Sequence, residues 1–157
     1  MSNQRVSALG LDLGSKRIGV AGCDGLGLLA TELTTIKRKS FQQDVEQLKA
    51  LVKEREVQLL VIGMPYSLNG EVGFQAKSTE KLAHRFAKAL ELPLEFVDER
   101  LTSCEAEEQL KAQKISLSRN KGLIDRKAAG IILQQWLEQR REKIKAPLPL
   151  VNQTTTN

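Results

Sequence analysis

Histidine and cysteine are scarce in this 157-residue chain, which narrows the kinds of site it can hold. There is one histidine, His84, and there are two cysteines, Cys23 and Cys104. Two cysteines without metal-ligand spacing are too few for a zinc site or a disulfide framework, so we interpret both as reduced thiols in or near the core. His84 is predicted on the polar side of a helix and is not expected to act as a catalytic base or metal ligand.

The sequence also lacks a long apolar run and a recognisable leader. No run approaches the roughly 20 apolar residues of a membrane helix, and the N-terminus has no basic-then-apolar layout. We therefore expect a cytoplasmic protein with no membrane partner. With 41% apolar and 27% charged residues, the composition predicts one folded domain over 1–144. Residues 145–157 are predicted to form a disordered tail.

Positive charge is concentrated near the C-terminus. The formal net charge is +5, and residues 111–145 contain ten lysines and arginines against three acids. A basic segment beside a mildly acidic body suggests a polyanionic partner such as nucleic acid. A solvated helix end would also be basic, so charge alone does not decide between the two.

Apolar periodicity predicts an α/β fold. Three strands joined by short turns predict an antiparallel meander, and two later apolar runs that follow helices predict parallel strands. The order predicts a mixed sheet with helices on both faces. The predicted strands are 6–13, 18–23, 28–36, 57–63 and 92–98, and the predicted helices include 41–56 with Ser40 as N-cap, 74–90 and 123–143.

One strand carries an isolated carboxylate near its end. Alternation puts Leu9, Leu11 and Leu13 on one face and Asp12 on the other, beside small residues. A buried, unpaired carboxylate is unfavourable by several kcal/mol, so Asp12 needs a cation, a metal or access to water. The alternative is a turn-capping aspartate before Gly14.

Two further acids could join Asp12. Glu99 follows the last predicted strand, and Asp125 faces inward from the first turn of the closing helix; ligands of such sheets bind beyond the carboxyl ends of the parallel strands. Three convergent carboxylates repel one another unless a divalent cation neutralises them, and oxygen ligands favour Mg²⁺ or Mn²⁺. Individually, Glu99 could pair with Arg100 and Asp125 could complement its helix dipole.

Four segments stand out, in chain order: Gly10 to Ala21, Gly63-Met64-Pro65 with Gly70, Asp98 to Ser103, and Asp125 to Ala129. Together they resemble the motifs of the YqgF (RuvX) family, whose members are RNase H-like relatives of Holliday-junction resolvases and are associated with pre-16S rRNA processing. The similarity covers roughly residues 5 to 140.

The resemblance implies an RNase H-like five-stranded mixed sheet of order 3-2-1-4-5. It also implies Asp12, Glu99 and Asp125 as catalytic acids that hold two Mg²⁺ or Mn²⁺ ions. The implied function is a nuclease that processes the 5′ end of pre-16S rRNA. By hypothesis, the cations that contact the nucleic acid are Lys16, Arg17, Lys114, Arg119 and Lys121.

Other functions stay open. A resolvase-like DNase acting on branched DNA is one, although Arg126-Lys127-Ala128 stands where the related resolvases carry an extra acid. A non-catalytic nucleic-acid-binding factor is another. An ATP-handling protein with a similar Asp-x-Gly turn would need two lobes and a longer chain. The sequence leaves open a monomer or a dimer.

Overall fold

Five strands form one sheet, and helices cover both of its faces. The computed structural model describes residues 6–23, 25, 29–65, 73–98 and 121–145. Within these ranges the strands are β1 (Ala8–Leu13), β2 (Arg17–Cys23), β3 (Ala30–Lys37), β4 (Leu59–Met64) and β5 (Leu94–Asp98). The helices are α1 (Phe41–Arg55), α2 (Phe74–Leu90) and α3 (Lys121–Lys145).

The strand order is β3-β2-β1-β4-β5, which confirms the predicted mixed sheet. The turn between β1 and β2 is short, so these strands pair antiparallel, as do β2 and β3. Helices α1 and α2 carry the chain back across the sheet, so β4 pairs parallel with β1 and β5 pairs parallel with β4. The carboxyl ends of β1, β4 and β5 therefore lie at one edge.

The two faces of the sheet differ in side-chain size. Leu9, Leu11 and Leu13 are buried against α1 and α2, as the alternation predicted. The other face of β1 and β2 carries small residues and receives α3. A Cβ added at Gly10 would lie 2.8 Å from the Leu133 Cβ and 3.2 Å from the Ala129 carbonyl oxygen, so the missing side chain lets the helix approach.

Helix α1 begins as predicted at Ser40. The Ser40 side chain accepts a hydrogen bond from the backbone N–H of Gln43 at 3.2 Å, which satisfies one of the unpaired donors of the first turn. The helix ends at Arg55, and Glu56 adopts the left-handed conformation with φ of 51°. The predicted end at residue 56 was therefore one residue too late.

Helix α3 begins at Lys121, two residues before the predicted start, and its first turn contains no acid. Asp125 consequently lies in the second turn rather than the first. Because dipole effects fall off within the first turn, stabilising the dipole does not account for Asp125. Ala129, Ile132 and Trp136 are buried on the predicted face.

Several predicted features lie outside the described residues: Cys104, Glu99, Lys114, Arg119 and the tail beyond Lys145. Of Lys121, the first residue of α3, the structure describes the backbone alone. None of the helices in the described ranges is long and apolar enough to cross a membrane.

Candidate active site

Asp12 lies near the carboxyl end of β1, on the face covered by α3. It is half-buried, and its cross-strand partner in β2 is Gly19. Directly opposed residues of an antiparallel pair project to the same face. A Cβ added at Gly19 would overlap the backbone carbonyl of Asp125 and lie 3.1 Å from the Arg126 nitrogen, so α3 rests on the sheet at this position.

Asp12 and Asp125 are thereby brought to one face of the sheet. Gly19 is the point of contact, because it lies across from Asp12 and directly under the backbone of Asp125. A side chain larger than hydrogen at Gly19 would keep α3 away. The placement of Asp12 and Asp125 on one face therefore depends on β1, on β2 and on α3.

The carboxylate of Asp125 is paired with Arg17, the first residue of β2. Arg17 Nε donates to Asp125 Oδ2 at 2.7 Å, and the side chains are 29% and 19% exposed. A charge-assisted hydrogen bond of this length is stronger than a neutral one. Arg17 was predicted to contact phosphate; in the structure its Nε is engaged with a candidate metal-binding acid.

Further polar contacts hold α3 on the sheet. Lys127 Nζ lies 3.2 Å from Glu32 Oε2 on β3, and Trp136 Nε1 donates to Glu95 Oε1 on β5 at 2.9 Å. Together with the Arg17 pair, these contacts attach the helix to three strands. The orientation of α3, and with it the position of Asp125, is therefore fixed by several elements.

The turn between β1 and β2 is held by Arg38, which the sequence analysis missed. Arg38 Nη1 donates to the Gly14 carbonyl oxygen at 2.8 Å, and its Nε lies 3.7 Å from Oδ2 of Asp44, a carboxylate that is only 1% exposed. Inside the turn, the Gly14 N–H donates to the Arg17 carbonyl at 2.9 Å. The available signal was an aspartate in the first turn of α1, which by itself resembles an ordinary dipole-stabilising residue.

The other predicted residues have different surroundings. Lys16 is exposed in the β1–β2 turn. Asp98 ends β5 opposite Met64, and Glu99 is the next residue, outside the described part. His84 is exposed, and its ring packs edge-on against Phe96 with centroids 5.9 Å apart, on the side of α1 and α2. His84 therefore lies on the face of the sheet opposite to that of Asp12.

Cys23 is a buried thiol, as predicted. Its Sγ donates to the Val6 carbonyl and accepts from the Ala8 N–H, both at 3.3 Å. The thiol therefore forms hydrogen bonds with backbone groups at the start of β1. Cys23 also lines a cavity together with Ser7 and Arg55.

Asp12 and Asp125 offer their carboxylates to a divalent cation on the face beside Gly19. The ranges that the structure describes contain no cluster of three histidine, cysteine, aspartate or glutamate side chains able to hold a metal ion. The oxygen donors of Asp12 and Asp125 are of the type that Mg²⁺ and Mn²⁺ prefer. Arg17 on Asp125 shows that this carboxylate already accommodates a positive charge. The residues present fit a divalent ion in donor chemistry.

Comparisons with known proteins agree on the family and the fold. A family model described as "RuvX: Holliday junction resolvase" matches residues 6–139. A protein of Crocosphaera subtropica named "Putative pre-16S rRNA nuclease" is 69% identical over 141 residues, covering 90% of this chain and 99% of the relative. A Synechocystis protein of the same name is 60% identical, covering 91% of this chain and 94% of the relative.

Two solved structures share the fold at low sequence identity. T. thermophilus RuvC in complex with a Holliday junction substrate has a TM-score of 0.56 and 13% identity, covering 87% of this chain and 96% of RuvC. Fowlpox virus resolvase bound to Holliday junction DNA has a TM-score of 0.53 and 11% identity, covering 86% of this chain and 99% of the resolvase. These similarities support the predicted RNase H-like, resolvase-type fold.

Proposed function

Because this chain belongs to the RuvX family and its relatives are named for nuclease action on pre-16S rRNA, we propose that it is a metal-dependent nuclease that processes the 5′ end of precursor 16S rRNA. The reaction is hydrolysis of a phosphodiester. Its setting is the cytoplasm, where the rRNA precursor is made. Either a monomer or a dimer is compatible with this activity.

The observation that carries the proposal is that Asp12 and Asp125 lie on one face of the sheet, on either side of Gly19. Asp12 is on β1 and Asp125 is on α3, and Gly19 brings their elements into contact. Burying two acids on one side of a sheet is unfavourable without cations nearby. A protein that maintains this arrangement has a use for positive charge between or beside the two carboxylates.

Asp12, Asp125 and Glu99 are the proposed metal ligands. Glu99 directly follows β5, whose carboxyl end lies at the same edge of the sheet as that of β1. When bound at such a site, divalent ions activate water for attack on phosphorus and stabilise the leaving oxygen. The protein supplies the carboxylates and holds them in place through α3 and its contacts with the sheet.

Arg17 is proposed to orient Asp125 rather than to bind phosphate alone. Its Nε bond to Oδ2 restricts rotation of the carboxylate, while its other guanidinium nitrogens remain able to donate to a phosphate. Lys16 is exposed in the adjoining turn and is proposed to contact the nucleic acid backbone. Lys114 and Arg119, which precede α3 in the sequence, and Lys121, its first residue, are proposed for the same role.

The direct test replaces Asp12 by asparagine. We expect Asp12→Asn to reduce Mg²⁺-dependent cleavage of a 5′-extended 16S rRNA precursor by more than about 100-fold, because even outer-shell changes at metal sites reduce activity about 10–100-fold. RNA affinity should stay similar or rise, because a negative charge is removed. The measurement is single-turnover cleavage and filter binding with Mg²⁺, Mn²⁺ or EDTA.

A matched control is Glu54→Gln, which removes one negative charge from the exposed surface of α1. It should leave cleavage unchanged. Full activity of Asp12→Asn would exclude the proposed role of Asp12. Binding of RNA without cleavage under any metal condition, in the wild-type protein, would favour a non-catalytic binding factor.

The family description favours a second candidate, cleavage of branched DNA. A synthetic four-way junction in the same assay distinguishes the two. Symmetrical cutting of the junction, with precursor rRNA left intact, would replace the rRNA proposal by a resolvase function.

A further inference from the structure

A basic groove runs along α2, on the side of the sheet opposite Asp12. Two adjoining cavities of about 180 and 290 Å³ form it, and both are lined by Arg38, Ser78 and Leu82. We call it the α2 groove and define it by these three residues together with Ser15, Lys81 and Arg85. None of these residues belongs to the proposed metal site or to the basic segment before α3.

The α2 groove begins at the same turn that ends the strand carrying Asp12. Ser15 lies in the β1–β2 turn, three residues beyond Asp12, and it lines the first cavity. Ser78, Lys81 and Arg85 follow one face of α2 at intervals of three and four residues. From Ser78 to Arg85 the helix rises about 10 Å, the axial length of about three nucleotides of a helical strand.

The groove is cationic. Its charged side chains are Arg38, Lys81 and Arg85, and within the described part of the chain no acidic side chain lines either cavity. The hydroxyls of Ser15 and Ser78 lie among the cations. Guanidinium, ammonium and hydroxyl groups are the side chains that contact nucleic acid phosphates.

Two of the three cations are held in place before any ligand binds. Arg38 is bonded to the Gly14 carbonyl and lies beside Asp44. The Arg85 guanidinium lies 4.1 Å above the centre of the Phe41 ring, which itself stacks on Phe86 at 5.1 Å. Ordered cations lose less conformational entropy when they bind an anion than free side chains do.

We propose that the α2 groove binds the phosphodiester backbone of a single-stranded segment of the RNA that continues past the cleavage site. The inference rests on the proposed nuclease function. Ser78, Lys81 and Arg85 span about 10 Å of α2, which matches the phosphates of about three nucleotides of one strand. None of the described residues that line the α2 groove is aromatic, and its cations and hydroxyls are groups that contact the phosphates of the backbone.

The test compares Lys81→Gln/Arg85→Gln with Lys49→Gln/Lys53→Gln. Both pairs are exposed, separated by four residues on a helix and equal in charge change, but Lys49 and Lys53 lie on α1 away from the groove. The probe is a fluorescein-labelled single-stranded RNA copied from the 5′ extension of the 16S precursor. Its anisotropy is measured with the full chain in EDTA, from 50 to 200 mM KCl, so that neither cleavage nor divalent ions contribute.

Loss of two phosphate contacts should lower the slope of log affinity against log salt by about 1.4, or 0.7 for each contact with a single strand. Over a fourfold range of salt, the wild-type affinity should therefore fall about sevenfold more than that of the groove variant. The control pair should keep the wild-type slope. With a hairpin RNA of the same sequence, the salt slopes of the groove variant and of the wild-type protein should differ less.

Two further variants protect the test from a folding artefact. Lys81→Gln alone leaves the Phe41 contact intact and should lower the slope by about 0.7. Arg85→Lys keeps the charge and should retain the wild-type slope. An unchanged slope in both Lys81→Gln and the double variant would overturn the proposal, as would a change seen with the hairpin alone.

Failure of the groove and failure of the nuclease function give different results. If the wild-type chain cleaves precursor RNA and the groove variants keep its salt slope, the groove inference fails and the nuclease function stands. If the slopes change as expected but no cleavage occurs with any metal, the groove binds RNA and the proposed nuclease function fails.

Discussion

Replacing Gly19 by alanine should separate α3 from the sheet at the candidate active site. A Cβ at this position would overlap the Asp125 carbonyl, and the Arg126 nitrogen would be 3.1 Å away. Both atoms belong to the helix backbone, so no side-chain rotation relieves the clash. The first turns of α3 must move away by roughly 1 Å, and overpacking of this kind destabilises proteins by about 1–3 kcal/mol.

Gly10 offers a graded comparison within the same interface. Its added Cβ would meet the Cβ of Leu133 at 2.8 Å, eight residues beyond Asp125 and therefore about 12 Å farther along the helix. We expect Gly10→Ala to destabilise the fold by about 1–2 kcal/mol. At Gly25, no described atom apart from its chain neighbours lies within 4 Å of an added Cβ, so alanine there should change stability by less than about 0.5 kcal/mol.

Activity should be more sensitive than stability to the change at Gly19. A displacement of about 1 Å in a catalytic group can reduce the rate about 100-fold, whereas a shift two turns away should have a smaller effect on Asp125. The assays are urea unfolding, calorimetric Mn²⁺ binding and single-turnover cleavage of precursor rRNA, all well below the melting temperature. Weaker Mn²⁺ binding by Gly19→Ala should accompany the loss of cleavage.

Two results would refute this reasoning. If Gly19→Ala is as stable as Gly25→Ala and as active as the wild-type protein, the close approach of α3 is not required. If the loss of cleavage rate follows the loss of stability in the same ratio for Gly10→Ala and Gly19→Ala, the cause is a general loosening of the fold and not a displacement of Asp125.

Two other substitutions test individual contacts. Arg17→Gln should lower the free energy of unfolding by about 1–2 kcal/mol, because a partly exposed charge-assisted hydrogen bond to Asp125 is lost. A double-mutant cycle with Asp125→Asn, measured by urea unfolding, should give a coupling energy of similar size. If the effects of the two substitutions simply add, Arg17 and Asp125 do not interact. Ser40→Ala should lower the free energy of unfolding by about 1 kcal/mol, because the backbone N–H of Gln43 loses its hydrogen-bond acceptor, and it should leave cleavage unchanged. If the midpoint of thermal unfolding does not change, the capping hydrogen bond does not stabilise the fold.

The sheet was predictable because its determinants are local. Alternation in β1, the cap at Ser40 and the change from helical to strand periodicity lie within a few residues of one another. Short turns and helical crossovers then restrict the strand order. Position 12 was assigned to the correct face for the same reason.

The starts of β4 and β5 were predicted two residues too early, and one local motif accounts for both errors. Glu56 and Glu91 end their helices with φ of 51° and 56°. The next residues, Val57 and Leu92, donate their N–H groups back to Val52 and Ala87 at 3.0 Å, so they close the helix before the strand begins. Glycine is the usual residue at the left-handed position of this motif, so the motif is hard to predict where glutamate occupies that position.

The details of the site depend on contacts that no local pattern encodes. The Arg17–Asp125 pair joins residues 108 positions apart, and Gly19 is needed only because a helix from the end of the chain rests on it. In the sequence, Gly19 is one glycine among 11. Predicting its role would require the docking of α3 to be known first.

The division of the two aspartates between β1 and α3 affects when the protein can become active. During synthesis, all five strands leave the ribosome before the helix that carries Asp125. A nascent or truncated chain that stops before this helix lacks Asp125 and the apolar side chains that cover one face of the sheet. Under the proposed role of Asp125, hydrolytic activity begins only after this helix has been made and has packed on the sheet.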